Sequence, residues 1–329
     1  YNLIKKKKSV LLIDNRHHTS SSTMSAGIIN PITGKRFILT EDFAKFHHEA
    51  ELTYRELENK LNTTFYAEKK IVRFYSSSQE HKIWSERKDT INSSLYIKGY
   101  NPSGLFSRWF DDRYGSLTVK GYVCDVSVPI KKFSDILDKN QILPELFEFN
   151  HLKINQESVT YKNMSASKII FCEGYLAETN PYFKFLPFKP AKGDILTLSV
   201  DDPLPDKIFN FGKWVMPIDD KTVKTGSTFY WNDLDPTPTA EGKNEILNAL
   251  KNMAKFSIKV INHQTGIRPV ILDLVPVLGL HPEYNAIGIF NGLGAKGVLY
   301  APWLARHLAD HLVDESPLDR NININRFSV

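Results

Sequence analysis

Two basic residues in the last third of the chain are the main candidates for binding an anionic group. Arg268 lies in the run Gly266-Ile267-Arg268-Pro269, and a guanidinium binds a carboxylate through two parallel hydrogen bonds. Lys296 lies in the glycine turn Gly292-Leu293-Gly294-Ala295-Lys296-Gly297, where a cation and backbone N–H groups together stabilise developing negative charge. Both are therefore candidate catalytic residues. A structural salt bridge for Arg268 and an exposed loop lysine for Lys296 are the alternatives.

One acid and a group of aromatic residues complete the candidates. Asp14 follows an apolar run, and an acid at the end of a strand in a dinucleotide-binding unit accepts hydrogen bonds from ribose hydroxyls. A strand-end acid with a purely structural role is the alternative. Four aromatic residues in a β-rich stretch either wall a substrate pocket or pack in the core: Trp214, Phe229, Tyr230 and Trp231. We predict that Tyr230 and Trp214 line the pocket together with Arg268.

The elements that must position these residues are those of an α/β protein. The run Ser9 to Asp14 predicts a buried parallel strand, directly after a helix end in residues 1–8. Glu41 to Leu61 predicts an amphipathic helix with Thr40 as its N-cap. Short apolar runs broken by Gly, Pro, Asp and Asn across 65–120 and 186–235 predict an antiparallel sheet.

The later elements bring in the candidate turn. A short buried strand is predicted at Lys168 to Cys172, and a second helix from Ala240 to Val260. The strand Ala286 to Phe290, the glycine turn and the helix Val298 to Val313 then follow, an order that aims backbone N–H groups and the positive end of a helix at a ligand. Nucleotide-binding pieces thus alternate with β-rich inserts, so we expect two interleaved domains.

The composition excludes several classes of protein. Of the 329 residues, 42% are hydrophobic and 24% are charged, which excludes a disordered, collagen-like or coiled-coil chain. The net charge of +5 permits a nucleic-acid partner without requiring one. No apolar run is as long as the roughly 18 residues of a membrane-spanning helix. The two cysteines exclude a disulfide framework and a cysteine-rich zinc site, and they predict a cytoplasmic location. No metal site is predicted, because the adjacent His47 and His48 diverge on a helix.

Several longer motifs occur in a fixed order along the chain. A serine-rich segment that begins at Thr19 leads into Ser25-Ala26-Gly27-Ile28-Ile29-Asn30-Pro31. After it come Ile169-Ile170-Phe171-Cys172-Glu173-Gly174 and Lys189-Pro190-Ala191-Lys192-Gly193-Asp194. The Arg268 block extends through Asp273 to Pro276-Val277-Leu278-Gly279, and the glycine turn is followed by Ala301-Pro302. This ordered set resembles the D-amino-acid oxidase / glycine oxidase superfamily of FAD-dependent amine oxidoreductases.

The resemblance implies a Rossmann-like FAD-binding domain of the glutathione-reductase type, interleaved with an antiparallel-sheet α+β substrate domain. The expected boundaries are 1–64, 119–187 and 264–329 for the FAD-binding domain, and 65–118 and 188–263 for the substrate domain. No cysteine follows Cys172, so the implied FAD is expected to be non-covalent. The implied FAD-binding residues are Asp14, Ser20, Ser25, Ala26, Gly27, Ile28, Gly174, Gly292, Leu293, Gly294, Ala295, Lys296 and Gly297.

The activity implied by the resemblance is oxidation of an amino acid, an N-substituted glycine or a secondary amine. Hydride passes to flavin N5, and the resulting imine is hydrolysed. The form of the glycine turn is most similar to that of tRNA wobble-uridine-modifying oxidase domains, and Ala295 lies where many glycine-oxidase-like members place arginine. A tRNA-modifying oxidase that acts on an N-alkylglycine group is therefore an alternative to a small-molecule amine oxidase.

One feature of the family is missing from the sequence. The family opens with G-x-G-x-x-G, whose glycines let the backbone approach a pyrophosphate, and no such motif occurs in the 329 residues. We expect that about 15–25 residues carrying it precede Tyr1. If they do not, the chain has lost its pyrophosphate cradle, and a non-catalytic scaffold without FAD becomes the further alternative.

Overall fold

A computed structural model describes residues 1–15, 20–34, 36–87 and 95–327 as a mixed α/β fold, which confirms the predicted fold class. The helices are α1 (Asn2–Lys5), α2 (Ser21–Met24), α3 (Phe43–Leu61), α4 (Ser78–Arg87), α5 (Ser127–Lys132), α6 (Ala240–Lys251) and α7 (Gly297–Asp314). The strands are β1 (Leu12–Ile13), β2 (Ile28–Ile29), β3 (Ile32–Thr33), β4 (Ile38–Leu39), β5 (Tyr66–Phe74), β6 (Ile97–Asn101), β7 (Ser116–Cys124), β8 (Ile142–Leu143), β9 (Leu152–Ile154), β10 (Val159–Tyr161), β11 (Met164–Ala166), β12 (Ile169–Phe171), β13 (Ala191–Val200), β14 (Ile208–Asn210), β15 (Trp214–Asp219), β16 (Thr222–Gly226), β17 (Ile258–Arg268), β18 (Val277–Leu280) and β19 (Ile287–Asn291).

A main sheet runs in the order β17-β13-β16-β15-β14-β5-β7-β2, and β6 also pairs with β7. Its pairs are antiparallel except for β14 with β5. The antiparallel sheet predicted for 65–120 and 186–235 therefore forms. The sheet also includes β2, and β7 crosses the expected boundary at 118/119. The interleaved domain boundaries stay a prediction.

Smaller sheets carry the segments near the predicted nucleotide-binding elements. β12 pairs in parallel with β19, which confirms the strand predicted at Lys168 to Cys172. β19 leads through the glycine turn, whose residues Gly294–Lys296 form a 3₁₀ turn, into α7. The predicted order of strand, glycine turn and helix is thus confirmed.

The long helices α3 and α7 pack against each other through aromatic residues. The ring of Phe46 meets Tyr300 and Trp303 edge-on, at centroid distances of 4.8 and 5.4 Å. The predicted apolar stripe of α3 is buried: Phe43, Ala50, Tyr54, Leu57 and Leu61 lie in one core cluster, with Phe46 packed against it. This contact fixes where α7, and hence the glycine turn at its start, lies relative to the rest of the chain.

Three predicted element details are wrong. The helix predicted to Val260 ends at Lys251, because residues from Ile258 pair with the edge of β13 instead. α3 begins at Phe43 after Asp42 (φ 49°), so Thr40 is not its N-cap. The strand predicted from Ser9 to Asp14 is parallel but short and only half-buried. It pairs over Leu12–Ile13 with β8, and Leu11 is 41% exposed.

Candidate active site

A cavity of about 510 Å³ is lined mainly by three distant parts of the chain, and Trp214 of β15 and Ser227 after β16 also reach it. The first is α2 with the serine-rich segment around it, and the second is the pair of strands β13 and β17. The third is the glycine turn with the start of α7. The lining of the cavity includes Met24, Ser25, Ala26, Gly27, Ile28, Gly193, Ile195, Trp214, Ser227, Gly266, Arg268, Leu293, Gly294, Ala295 and Gly297. Residues that are far apart in sequence therefore share one concave site.

Two glycines leave space above the sheet at the cavity, because they have no side chains. Gly193 of β13 and Gly266 of β17 are direct partners in the antiparallel ladder. A Cβ on Gly193 would lie 2.3 Å from both terminal nitrogens of Arg268, so only glycine leaves room for the guanidinium there. A Cβ on Gly266 would lie 3.2 Å from Cβ of Met24, which brings α2 close to the sheet. The glycine pair thus makes a shallow trough that holds Arg268 at the cavity wall.

The guanidinium of Arg268 is bound by neutral oxygens. Its Nη2 donates to Oγ of Ser227 at 2.7 Å, and its Nη1 donates to the carbonyl oxygens of Thr228 at 3.3 Å and Lys192 at 3.4 Å. Its carbon Cζ lies 4.8 Å from the ring centroid of Phe229. Across the described ranges, no carboxylate forms an ion pair with Arg268. Burial lowers its pKa to about 10, and the negative charge of Asp194 partly opposes this shift. The cavity wall therefore carries a cation that has no ion-pair partner in the described part of the chain.

A buried acid behind this wall was not foreseen from the sequence. Asp194 is 0% exposed, and its carboxylate accepts hydrogen bonds from Thr228 and Thr265, each at 2.9 Å. Nε2 of His263 lies 2.8 Å from Oδ1 of the same carboxylate. The sequence signal was available, because a Lys-Gly-Asp run inside an apolar strand must bury charge. Its partners became visible only with the register of β13 and β17.

The glycine turn brings a helix N-terminus to the cavity. Gly292 (φ 77°) and Gly294 (φ 55°) have left-handed backbone conformations that favour glycine. The N–H of Gly294 donates to the carbonyl of Pro269 at 2.8 Å, which ties the turn to the residue after Arg268. α7 starts at Gly297 without a side-chain cap. Its positive end is thus available to a carbonyl-rich or anionic edge of a ligand.

Lys296 lies beside the cavity and does not line it. Its Nζ contacts Oγ1 of Thr40 at 3.3 Å and lies 5.9 Å from the ring centroid of Tyr300. Burial lowers the pKa of Lys296. Thr40, expected to cap a helix, instead binds this lysine. A role for Lys296 at the ligand stays a prediction.

The serine-rich segment is held by local bonds and one close backbone contact. Ser20 caps α2, since its Oγ accepts a hydrogen bond from the backbone N–H of Thr23 at 3.3 Å. Gly27 (φ 67°) runs beside β7, where a Cβ would lie 1.9 Å from the carbonyl oxygen of Cys124. The motif glycine is therefore required by packing as well as by its place at the cavity. Thr19, the first residue of the motif, lies outside the described residues.

Several predicted site residues do not line the cavity. Asp14 follows β1, where its N–H donates to the carbonyl of Leu143 at 3.1 Å. The carbonyl of Gly174 accepts a hydrogen bond at 2.9 Å from Nδ2 of Asn291, whose Oδ1 in turn binds the N–H of Gly292 at 2.7 Å. The hydroxyl of Tyr230 donates to Glu245 at 2.6 Å. The predicted residues absent from the lining are Asp14, Ser20, Gly174, Tyr230, Gly292 and Lys296.

Among the described residues, no group of three or more His, Cys, Asp or Glu residues could hold a metal ion. None of the helices in the described ranges is both long and apolar enough to cross a membrane.

Comparison with known proteins assigns the family. The model of the DAO family, described as FAD dependent oxidoreductase, matches residues 148–311. The tRNA 5-methylaminomethyl-2-thiouridine biosynthesis bifunctional protein MnmC of Marinobacter nauticus is 31% identical over 172 residues, 47% of this chain and 27% of that protein. Glycine oxidase of Bacillus subtilis is 26% identical over 185 residues, 52% of this chain and 50% of that protein. The chain thus spans about a quarter to a half of these relatives.

The fold is also that of a solved structure. Iminodiacetate oxidase from Chelativorans sp. BNC1 superposes with a TM-score of 0.77 at 20% identity, over 98% of this chain and 95% of that chain. At this identity the match shows the fold alone. The family model and the relatives in sequence show that the chain belongs to the DAO family of FAD dependent oxidoreductases.

Proposed function

We propose that this chain is an enzyme that oxidises an amino acid or an N-substituted glycine with FAD. One observation carries the proposal: the guanidinium of Arg268 faces a cavity beside the glycine turn and has no carboxylate partner in the described part of the chain. A partly buried cation without an ion-pair partner is costly, and an anionic ligand relieves that cost. The carboxylate of an amino acid has the planar geometry that a guanidinium binds bidentately.

The residues around the cavity fit the flavin that the family requires. The residues proposed to hold it are Ser25 to Ile28, which follow the serine-rich segment, and the turn from Leu293 to Gly297 at the start of α7. FAD, when bound, accepts a hydride from the carbon that bears the nitrogen. The binding is proposed to be non-covalent, because neither Cys124 nor Cys172 lines the cavity. Sugar contacts from Asp14 remain part of the proposal.

The chain's own residues have a limited task in this chemistry. Arg268 binds the substrate carboxylate and fixes the orientation of the α-carbon. The apolar walls formed by Met24, Ile195 and Trp214 exclude water and favour a neutral amine over an ammonium ion. Ala295 offers no side-chain donor in the turn, which leaves space for a substituent on the nitrogen. An N-substituted glycine therefore suits the site at least as well as glycine.

The test uses the protein from its full open reading frame, purified and examined for flavin absorption. We expect bound FAD and turnover of at least one of glycine, N-methylglycine and iminodiacetate. Arg268→Met should lower kcat/KM by about a hundredfold, because a charged hydrogen-bonded pair is lost. Arg108→Met is the control, since Arg108 is exposed and pairs with Asp202 on the surface. Absence of flavin bands would favour the non-catalytic scaffold instead.

A second candidate is oxidation of an N-alkylglycine group on tRNA. A surface feature beside Arg268 favours it: Phe229 and Trp231 are 45% and 37% exposed and contact each other at a centroid distance of 4.7 Å. Nζ of Lys189 lies 4.8 Å from the ring centroid of Trp231. Exposed aromatic rings with nearby cations are typical of surfaces on which unpaired bases stack. The bifunctional relative named for tRNA biosynthesis also supports it.

Binding to tRNA at two salt concentrations separates the two candidates. A tRNA substrate predicts affinity that falls steeply with salt and that Trp231→Ala weakens. A small amine substrate predicts turnover without any tRNA effect.

In either case we propose a cytoplasmic location, which the unpaired Cys124 and Cys172 support.

A further inference from the structure

The orientation of Arg268 depends on one short segment that follows β16. The shortest hydrogen bond of the guanidinium is the one that Nη2 donates to Oγ of Ser227 at 2.7 Å, and the carbonyl of Thr228 accepts another at 3.3 Å. These acceptors are neutral, so the direction of the guanidinium is set by where the segment places them. Whatever holds residues 227–230 in place therefore also sets the geometry of the carboxylate site.

Lys213, Glu245 and Tyr230, the last of which belongs to the segment, hold it in place through their side chains. Nζ of Lys213 donates to the carbonyl oxygen of Ser227 at 2.7 Å and pairs with Oε1 of Glu245 at 2.5 Å. The hydroxyl of Tyr230 donates to the other carboxylate oxygen of Glu245 at 2.6 Å. Glu245 lies on α6, so the three residues join the segment to a helix. The segment is thus fixed at both ends, by Lys213 at Ser227 and by Glu245 at Tyr230.

The electrostatics keep Glu245 ionised and Tyr230 protonated at neutral pH. Partial burial opposes ionisation of Glu245, but hydrogen bonds from Lys213 and Tyr230 outweigh it and lower the pKa of Glu245. Burial, and then the bond to Glu245, raise the pKa of Tyr230, so its hydroxyl stays protonated and donates. Lys213 also directly precedes Trp214, which lines the cavity. The triad therefore lies between the helix and the cavity wall.

We propose that Lys213, Glu245 and Tyr230 are positioning residues for Arg268 in carboxylate binding. This rests on the proposed function, in which Arg268 binds the substrate carboxylate. It also gives Tyr230 a different role from the one expected from the sequence, because its hydroxyl is bonded to Glu245 and does not line the cavity. A displacement of Ser227 by about 1 Å is enough to misalign a bidentate pair and to reduce its benefit severalfold or more.

The test uses the full-length protein and measures two things. Steady-state kinetics give KM and kcat for the amine substrate that the wild type turns over. Calorimetry gives the affinity for glycolate, a carboxylate without an amine. We expect Lys213→Met to raise KM and the glycolate Kd about tenfold, with a much smaller change in kcat. Lys213→Arg keeps a donor and should recover most of the affinity. Tyr230→Phe removes one hydrogen bond and should weaken glycolate binding about threefold. If Lys213→Met does not fold, the proposal is tested by the loss of glycolate affinity in Tyr230→Phe relative to wild type and Lys213→Arg.

The chain contains a chemically matched control triad. Nζ of Lys162 lies 2.7 Å and the hydroxyl of Tyr161 lies 3.0 Å from Oε1 of Glu145, in a part of the chain that does not line the cavity. Lys162→Met and Tyr161→Phe remove the same kinds of bond. They should leave KM and the glycolate Kd unchanged.

The outcomes separate this inference from the proposed function. If wild type and Arg268→Met bind glycolate equally, the carboxylate site itself is wrong and the inference falls with it. If Arg268→Met loses binding while Lys213→Met and Tyr230→Phe bind as wild type does, the inference alone is overturned. Equal losses in the Lys213 and Lys162 variants would also overturn it, because they would indicate general destabilisation.

Discussion

Two arginines on strands of the main sheet have similar surroundings and different partners. Cζ of Arg73 lies 4.0 Å from the ring centroid of Phe37, and Cζ of Arg268 lies 4.8 Å from that of Phe229. Arg73 is 8% exposed and pairs with Glu80 at 2.6 Å. Arg268 is half-buried, faces the cavity, and binds only neutral oxygens among the described residues. One guanidinium has its carboxylate inside the fold, whereas the other is left to bind one from outside.

The comparison separates a structural arginine from a binding arginine. Glu80 also accepts hydrogen bonds from the N–H and hydroxyl of Ser76, each at 2.7 Å, so the Arg73 pair ties β5 to the start of α4. Arg268 sits at the end of β17, over Gly193, and within the described ranges its terminal nitrogens form no ion pair with an acid. We therefore expect substitutions at the two positions to affect different measurements.

The largest effect is expected on stability at Arg73. Arg73→Met leaves the buried carboxylate of Glu80 without its cation, and such a loss costs about 3–5 kcal/mol of the free energy of unfolding. Urea unfolding measures it. Arg268→Met removes a charge that has no acid partner and should change the free energy of unfolding by no more than about 1 kcal/mol. Equal destabilisation by the two variants would remove the distinction between these residues.

A conservative change at the binding position gives the next effect. Arg268→Lys keeps the positive charge but loses the planar fork, so we expect glycolate to bind about tenfold more weakly, or about 1.4 kcal/mol. The matched change Arg73→Lys should leave glycolate binding untouched. Calorimetry on both variants measures the difference. If Arg268→Lys binds as tightly as wild type, the site uses charge alone and the bidentate geometry is wrong.

The sequence predicts correctly those elements whose pattern lies within one short stretch of the chain. The strand β19, its glycine turn and α7 were recognisable because left-handed glycines and apolar periodicity are properties of a short stretch. The same holds for the buried stripe of α3. The family was also predictable, because several motifs in the correct order are specific even when each is weak alone.

Features that depend on pairing between distant segments were not predictable. The sequence predicts that α6 continues beyond Lys251, because the apolar residues after it suit a helix as well as a strand. Their pairing with β13 decides for the strand, and that pairing depends on a distant segment. The trough at Gly193 and Gly266 depends on strand register. The positions of Asp194 behind the cavity wall and of Tyr230 beside Glu245 depend on the same register, so neither could be read from the chain.

The smallest expected effect is a pH dependence that only the binding arginine should produce. Because burial lowers the pKa of Arg268 to about 10, the free protein loses this charge within an accessible pH range, whereas a bound carboxylate keeps the guanidinium protonated. Affinity for glycolate should therefore be constant up to about pH 9 and fall as pH rises further. At pH 10, where half of the free protein is uncharged, the Kd should be about twofold weaker.

The inflection can be assigned with Arg268→Lys. A lysine has an ordinary pKa of about 10.4, lower than that of arginine, so in the same buried place it should lose its charge at lower pH. The inflection should then move down, while in Lys296→Met it should stay near 10. Circular dichroism at each pH checks that the protein remains folded. An inflection that does not move in Arg268→Lys would belong to another group, and the carboxylate site would have to be sought away from β17.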